Sequence, residues 1–304
     1  MFPHGWRKYL DLVFPRSCAL CRSPAVDDRM AVLCSGCSES MPPISQGCWK
    51  CGAPNATAKA MLKKREYSPF EESVNSATGK KKGQKKTCKF CEHQAWDLNR
   101  VFAYTIYASE AARATRFCKD STHEPLAKAL GGMLCDWLAA RDDFLTICYD
   151  YVIPIPQHWF RRLTHRYHPA SVYAEQIVER MGIPVYQGGL RRSRWTSKQG
   201  LKTISERREN IRGAFEVTDP KRVRYRSFLL VDDVMTSGAT LADAARALRE
   251  AGARQVDAVV FARGVSASKP VNGVTAPISR VDESYEESRV SSDPTVKYLR
   301  HRLH

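Results

Sequence analysis

Eight of the eleven cysteines stand in four C-x-x-C pairs: Cys18/Cys21, Cys34/Cys37, Cys48/Cys51 and Cys88/Cys91. No other feature restricts the folding of this chain so sharply. Two thiolates at this spacing sit on one tight knuckle, and two knuckles complete a tetrahedral zinc shell. A disulfide framework fits poorly, because the opening "MFPHGWRKYLDLVFPRSC" has too short an apolar segment for a secretory signal and cytosolic thiols stay reduced. A redox C-x-x-C is expected once beside a βαβ pattern, not four times in a row. The pairs therefore predict two structural zinc sites, all-thiolate and closed to catalysis. Sequential pairing of the knuckles is the simplest arrangement, and an interleaved one satisfies the same spacing. Cys118, Cys135 and Cys148 lie outside the pairs, in apolar patterns that predict buried small hydrophobes.

The cysteines mark out an N-terminal region, 1–94. Trp6, Tyr9, Leu10 and Val13 follow helical spacing, which predicts a short amphipathic helix packed on the chain's own body, not on a membrane surface. Residues 55–87 are poor in apolar side chains and end in a lysine block, as an exposed basic insertion would. No apolar stretch approaches the ~20 residues that cross a bilayer, and the reading is cytoplasmic. Beyond 265 the sequence loses periodicity and reads as a disordered tail to 304.

Between 95 and 264 strand and helix patterns alternate. Strands are expected at 101–107, 149–156, 183–186, 227–233 and 256–262, with helices at 124–141, 169–182 and 241–250. The run "SFLLV" is continuously apolar, as in a parallel strand covered on both faces. The pattern predicts an α/β fold, a parallel sheet with right-handed crossovers.

The stretch "VDDVMTSGAT" (231–240) carries the chemistry. In open parallel sheets ligands bind at the carboxyl ends of the strands. Asp232 and Asp233 are expected at that edge, after an apolar strand. Thr236, Ser237, Gly238, Ala239 and Thr240 then wrap toward a helix N-terminus, where backbone N–H groups and the dipole favour a phosphate. Two carboxylates beside a phosphate cradle suit a sugar phosphate, the acids holding ribose hydroxyls or a magnesium ion. The stretch strongly resembles the phosphoribosyl pyrophosphate (PRPP) signature of type I phosphoribosyltransferases: apolar strand, paired acids, then T-[TS]-G-[AGS]-T.

The C-x-x-C pairs, the "PIP" strand with arginines after it, and this late PRPP loop together resemble the competence protein F (ComF) family, over roughly residues 10–264 without the insertion. That family includes proteins needed for DNA uptake. Its pattern R-x-x-x-T-x-x-Q-x-x-L, R-x-x-N, A-F falls on Arg192, Thr196, Gln199, Leu201 (one place early), Arg208 (one place late), Asn210, Ala214 and Phe215. After the "PIP" strand the family's R-x-R-G-F-N-Q-like run is here "RRLTHRYHPA", with His168 and Pro169 in place of the amides.

The resemblance implies that Arg161, Arg162 and Arg166 face the pyrophosphate, and that Arg192, Gln199 and Arg208 belong to a mobile hood over the ligand. His158, His165 and His168 are read as hydrogen-bonded or solvated, since no partner carboxylate can be named for them from sequence. No catalytic base is assigned, and no segment resembles a nucleobase pocket. Two functions stay open. One is a PRPP-binding protein of DNA uptake or related DNA metabolism, whose zinc ribbon docks partners such as an uptake helicase and whose basic surfaces contact single-stranded DNA. The other is an active transferase of nucleotide salvage. The balance of 48 Lys and Arg against 32 Asp and Glu, +16 overall, suits either polyanion.

Overall fold

The computed structural model describes residues 17–24, 32–45, 47–54, 88, 91, 96–119, 123–157, 167–193 and 211–264. The N-terminal helix, the basic insertion, the tail, Arg161, Arg162, Arg166, Gln199, Arg208, His158 and His165 all lie outside these residues.

In chain order the elements are α1 (Ser35–Glu39), β1 (Arg100–Ile106), α2 (Ser109–Phe117), α3 (Glu124–Ala139), α4 (Asp142–Leu145), β2 (Tyr151–Pro154), α5 (Pro169–Met181), β3 (Leu190–Arg192), β4 (Phe215–Val217), α6 (Pro220–Val223), β5 (Ser227–Met235), α7 (Ala239–Glu250) and β6 (Gln255–Arg263). Four strands form one sheet in the order β1-β6-β5-β2, with every pair parallel. β3 and β4 pair antiparallel in a separate ribbon. The chain is thus an α/β protein built on a parallel sheet.

The continuous apolar run of β5 follows from cover on both faces. Leu229 and Val231 pack with Leu126, Leu130, Leu134 and Tyr173 in one core layer. Phe228 and Leu230 pack with Leu241, Ala244 and Leu248 in the other. The first layer is supplied by α3, where Leu126, Leu130, Leu134 and Leu138 recur at helical spacing and are at most 1% exposed. Each such leucine contributes roughly 1.5–3 kcal/mol relative to an exposed side chain. α5 packs against α3 and stops at Gly182, whose φ of +71° opens the left-handed turn that ends a helix.

Some elements depart from the pattern. "IPVY" contributes only an isolated bridge from Val185 to Val152. The helix α2 and the ribbon β3–β4 carry too few residues for their periodicity to stand out. Cys118 and Cys135 are buried as expected, but Cys148 is exposed in the connection between α4 and β2.

β1 is an edge strand of the sheet, and such an edge presents unpaired backbone groups. The cysteine-rich region covers it. Ile44 donates its N–H to the Tyr104 carbonyl at 2.6 Å, and Val101 donates to the Lys50 carbonyl at 2.9 Å. Gly52, at φ +66°, lies so close to β1 that a Cβ there would sit 2.7 Å from the Cβ of Ala103.

Candidate sugar-phosphate site and zinc centres

The eight thiols gather sequentially. Cys18, Cys21, Cys34 and Cys37 form one cluster and Cys48, Cys51, Cys88 and Cys91 the other, with the sulfurs of each within 4.8 Å of one another. Four sulfurs ~2.3 Å from a tetrahedral ion lie ~3.8 Å apart. Here Cys21 and Cys34 are 3.6 Å apart, Cys51 and Cys88 3.6 Å, and Cys48 and Cys91 3.9 Å. Those separations fit zinc and are far too long for disulfides. Backbone N–H groups support the sulfurs, Cys37 donating to Cys34 Sγ and Cys88 to Cys48 Sγ, both at 3.4 Å. The Cys48 thiol is drawn down to about 4, first by the Cys51 thiol and then, against its burial, by backbone N–H groups. These are two structural zinc sites.

The other site is built where β5 meets α7. The sequence ends a strand at Asp232 and Asp233. In the structure the strand continues through them to Met235, with Asp232 opposite Val260 and Met235 opposite Arg263 on β6. The pairing extends because β6 is equally long, and a neighbouring strand stabilises backbone that the apolar pattern alone would end. Gly238 then turns at φ +74° as the N-cap of α7, which begins at Ala239, two residues earlier than its apolar pattern indicates. A Cβ at Gly238 would meet Met235 Cε at 2.6 Å and Trp96 at 3.0 Å. The first four N–H groups of any helix lack intrahelical partners. A recess of about 30 Å³ lies at the start of α7, lined by Asp232 and by Thr236, Ser237, Gly238, Ala239 and Thr240, and there the Ala239 N–H donates to Ser237 Oγ at 3.4 Å.

The two acids are in different electrostatic states. Asp232 is held well above the ordinary carboxylate range by burial and next by the charge of Asp233. Burial is the largest influence on Asp233 and opposes its ionisation, but Lys119, with Nζ 3.7 Å from Oδ2, is the first of several groups that together outweigh it. The Asp232 carboxyl and then His168 lower it further. Asp233 is therefore the ionised member of the pair. Lys119, at the end of α2, carries no sequence signal, because its contact to Asp233 joins residues more than a hundred positions apart. His168 does have a carboxylate beside it, which the sequence could not name. It stands at the N-cap position of α5, where its side chain makes no capping hydrogen bond.

Arg192 ends β3, with its guanidinium 5.6 Å from the Phe215 ring. Ala214 and Phe215 are buried, and the Asp243 carboxylate of α7 accepts the N–H groups of Gly213, Ala214 and Phe215 at 2.8, 2.8 and 3.2 Å. The C-terminal root of the basic stretch 190–212 is thereby fastened to the helix that opens the recess. Asp243 lies one turn beyond the motif and looks in sequence like any polar residue of an amphipathic helix.

Residues 9–69 match the double zinc ribbon domain, and residues 170–288 match the phosphoribosyl transferase domain. Competence protein F of Haemophilus influenzae is 31% identical over 113 residues, covering 37% of this chain and 49% of that protein, so the chain matches about half the length of that relative. DNA utilization protein YhgH of Escherichia coli O157:H7 is 26% identical over 247 residues, covering 81% of this chain and 96% of that protein. Among solved structures, glutamine PRPP amidotransferase from B. subtilis is similar at 23% identity and a TM-score of 0.30, over 44% of this chain and 25% of that one.

Fold, recess and cysteine clusters define a phosphoribosyltransferase-type α/β domain joined to a double zinc ribbon. That pairing, with Competence protein F and YhgH among the proteins it resembles, is consistent with the ComF family.

Proposed function

We propose that this protein binds PRPP with magnesium and acts in DNA uptake or a related branch of DNA metabolism. The observation that carries the reading is the recess itself, where Asp232 and the loop Thr236–Thr240 share one small volume at a helix N-terminus. In this reading the backbone of residues 236–240 and the hydroxyls of Thr236, Ser237 and Thr240 hold the 5′-phosphate. Asp232 and Asp233 hold the ribose hydroxyls or the magnesium ion, and Lys119 neutralises Asp233 while the site is empty. Arg161, Arg162 and Arg166 meet the pyrophosphate, and Arg192, Gln199 and Arg208 belong to the hood.

The division into a zinc-ribbon region at 1–94, a phosphoribosyltransferase-like domain at 95–264 and a tail belongs to the same proposal, as does a cytoplasmic location. Among the described residues no helix is long and apolar enough to cross a membrane. Single-stranded DNA and an uptake helicase are the proposed partners. The names of the relatives and the +16 charge support the first.

Calorimetric titration of the zinc-loaded protein with PRPP and magnesium tests the reading, beside an Asp232→Ala, Asp233→Ala double variant. Micromolar binding that the variant loses supports it. A wild-type protein without binding heat sinks it. Anisotropy of a labelled single strand, repeated across salt concentrations, tests the nucleic-acid partner, and binding that does not weaken with salt would rule out backbone contact.

A further inference from the structure

One cation in this protein is almost wholly enclosed and serves neither ligand reading above. Arg263, the last residue of β6, is 4% exposed. Its Nε donates to the Cys51 carbonyl at 3.2 Å, and its Nη1 donates to the carbonyls of Met235 at 3.0 Å and Thr236 at 2.6 Å, with Gly264 as a further acceptor. One guanidinium thus ties a knuckle of the second cysteine cluster to the first residues of the phosphate loop. A planar cation with five N–H donors in fixed directions can hold such a set of carbonyls at once, and an ammonium cannot.

The packing follows the same line. Cys48, Cys51 and Cys91 share a core layer with Met235, Leu241 and Ala244, whereas Cys18, Cys34 and Cys37 belong to the opposite layer. Trp96, five residues past Cys91, fills the space beside Gly238. The second cluster therefore has a direct mechanical path to the loop, and the first cluster packs on the other face of the sheet.

We infer that Arg263 is a positioning residue that couples the second cysteine cluster to the loop at residues 235–240, so that holding Cys48, Cys51, Cys88 and Cys91 together orders the loop. The effect on ligand affinity rests on the reading of that loop as a phosphate site. The coupling itself does not.

Hydrogen exchange of the full chain, read by mass spectrometry, separates the two. Arg263→Lys keeps the charge but loses the fork, and Cys91→Ser loosens the second cluster without altering any group that Arg263 touches. Each is expected to speed exchange at 236–241 on the order of tenfold, in the usual range of site-to-site coupling. Exchange in α3 and α5 stays at the wild-type rate. Cys21→Ser leaves the loop unchanged. In the Arg263→Lys, Cys91→Ser double variant the loop effects do not add, because the second change acts through a link already cut.

Wild-type loop exchange in Arg263→Lys, full additivity in the double variant, or an equal response to Cys21→Ser overturns the inference. If Cys91→Ser loses protection throughout, the wild-type chain decides. PRPP with magnesium must then slow chelator-driven release of one zinc ion more than the other, since coupling is reciprocal, and equal slowing refutes the link. If the wild type binds no PRPP while the exchange pattern holds, the coupling stands and the phosphate reading falls.

Discussion

Asp232 keeps its proton well above the usual carboxylate range, because burial and the neighbouring Asp233 charge both oppose a second negative group. The consequence for stability has a definite sign. A carboxyl whose folded pKa is raised binds more protons in the folded than in the unfolded state, so it costs stability as pH rises above its unfolded value. Asp232→Asn removes that cost. The variant is expected to melt about 2–4 °C higher at neutral pH, the effect of a ~1 kcal/mol gain in a domain of this size, and to lose PRPP binding. A lower melting temperature would show that Asp232 is held by contacts that need its charge. On the proposed reading magnesium takes up the ionised form, and affinity for PRPP with magnesium should fall as pH is lowered through the raised pKa. Titrations in buffers of different ionisation heat should register proton release on binding, and buffer-independent heats would contradict this account.

At the scale of the element, the loop and helix α7 are set by one backbone position and one carboxylate. Gly238 combines a φ of +74° with contacts that a Cβ would overlap. Gly238→Ala is expected to cost about 1–2 kcal/mol from the left-handed conformation alone, and to weaken PRPP binding more than tenfold as Met235 and Trp96 shift. Denaturant unfolding and calorimetry measure the two effects separately. Asp243 is 6% exposed, accepts three N–H groups and pairs with Arg246 at 3.0 Å. Asp243→Ala removes the carboxylate from all three donors, of which Ala214 keeps the Ile211 carbonyl at 2.9 Å and Gly213 is exposed, so a loss of about 1–3 kcal/mol is expected. A change below ~0.5 kcal/mol, the range of ordinary surface substitutions, would show that the root of the basic stretch holds without it.

Across the whole molecule, the zinc ribbon is both a domain and the cover of a sheet edge. Ile44 and Lys50 occupy hydrogen-bonding positions along β1 that would otherwise face water. Stripping zinc with a strong chelator should therefore do more than unfold the cysteine knuckles. It should expose β1, lower the melting temperature and drive concentration-dependent association, which light scattering would detect. Elemental analysis before stripping should find two zinc ions per chain. A chelated protein that stays monomeric would mean that the edge is covered by something other than the folded ribbon.

The sequence alone determined what depends on neighbours in the chain. C-x-x-C spacing places two sulfurs on one turn. A four-residue apolar run reports a strand covered on both sides. Asp232, Asp233 and the small residues through Thr240 announce a ligand because strand, glycine turn and helix start are all local events. What only the tertiary structure decided depends on long-range approach. The parallel pairing with β6 carried β5 through its acids to Met235. The fold brought Lys119 and His168 to Asp233, gave Asp243 three backbone donors, and set Arg263 between a zinc knuckle and the loop at residues 235–240. Each of these side chains is chemically ordinary where it stands in the sequence, and its role arises from carbonyls, amides and charges that other segments bring within about 3–4 Å, the reach of a hydrogen bond or an ion pair.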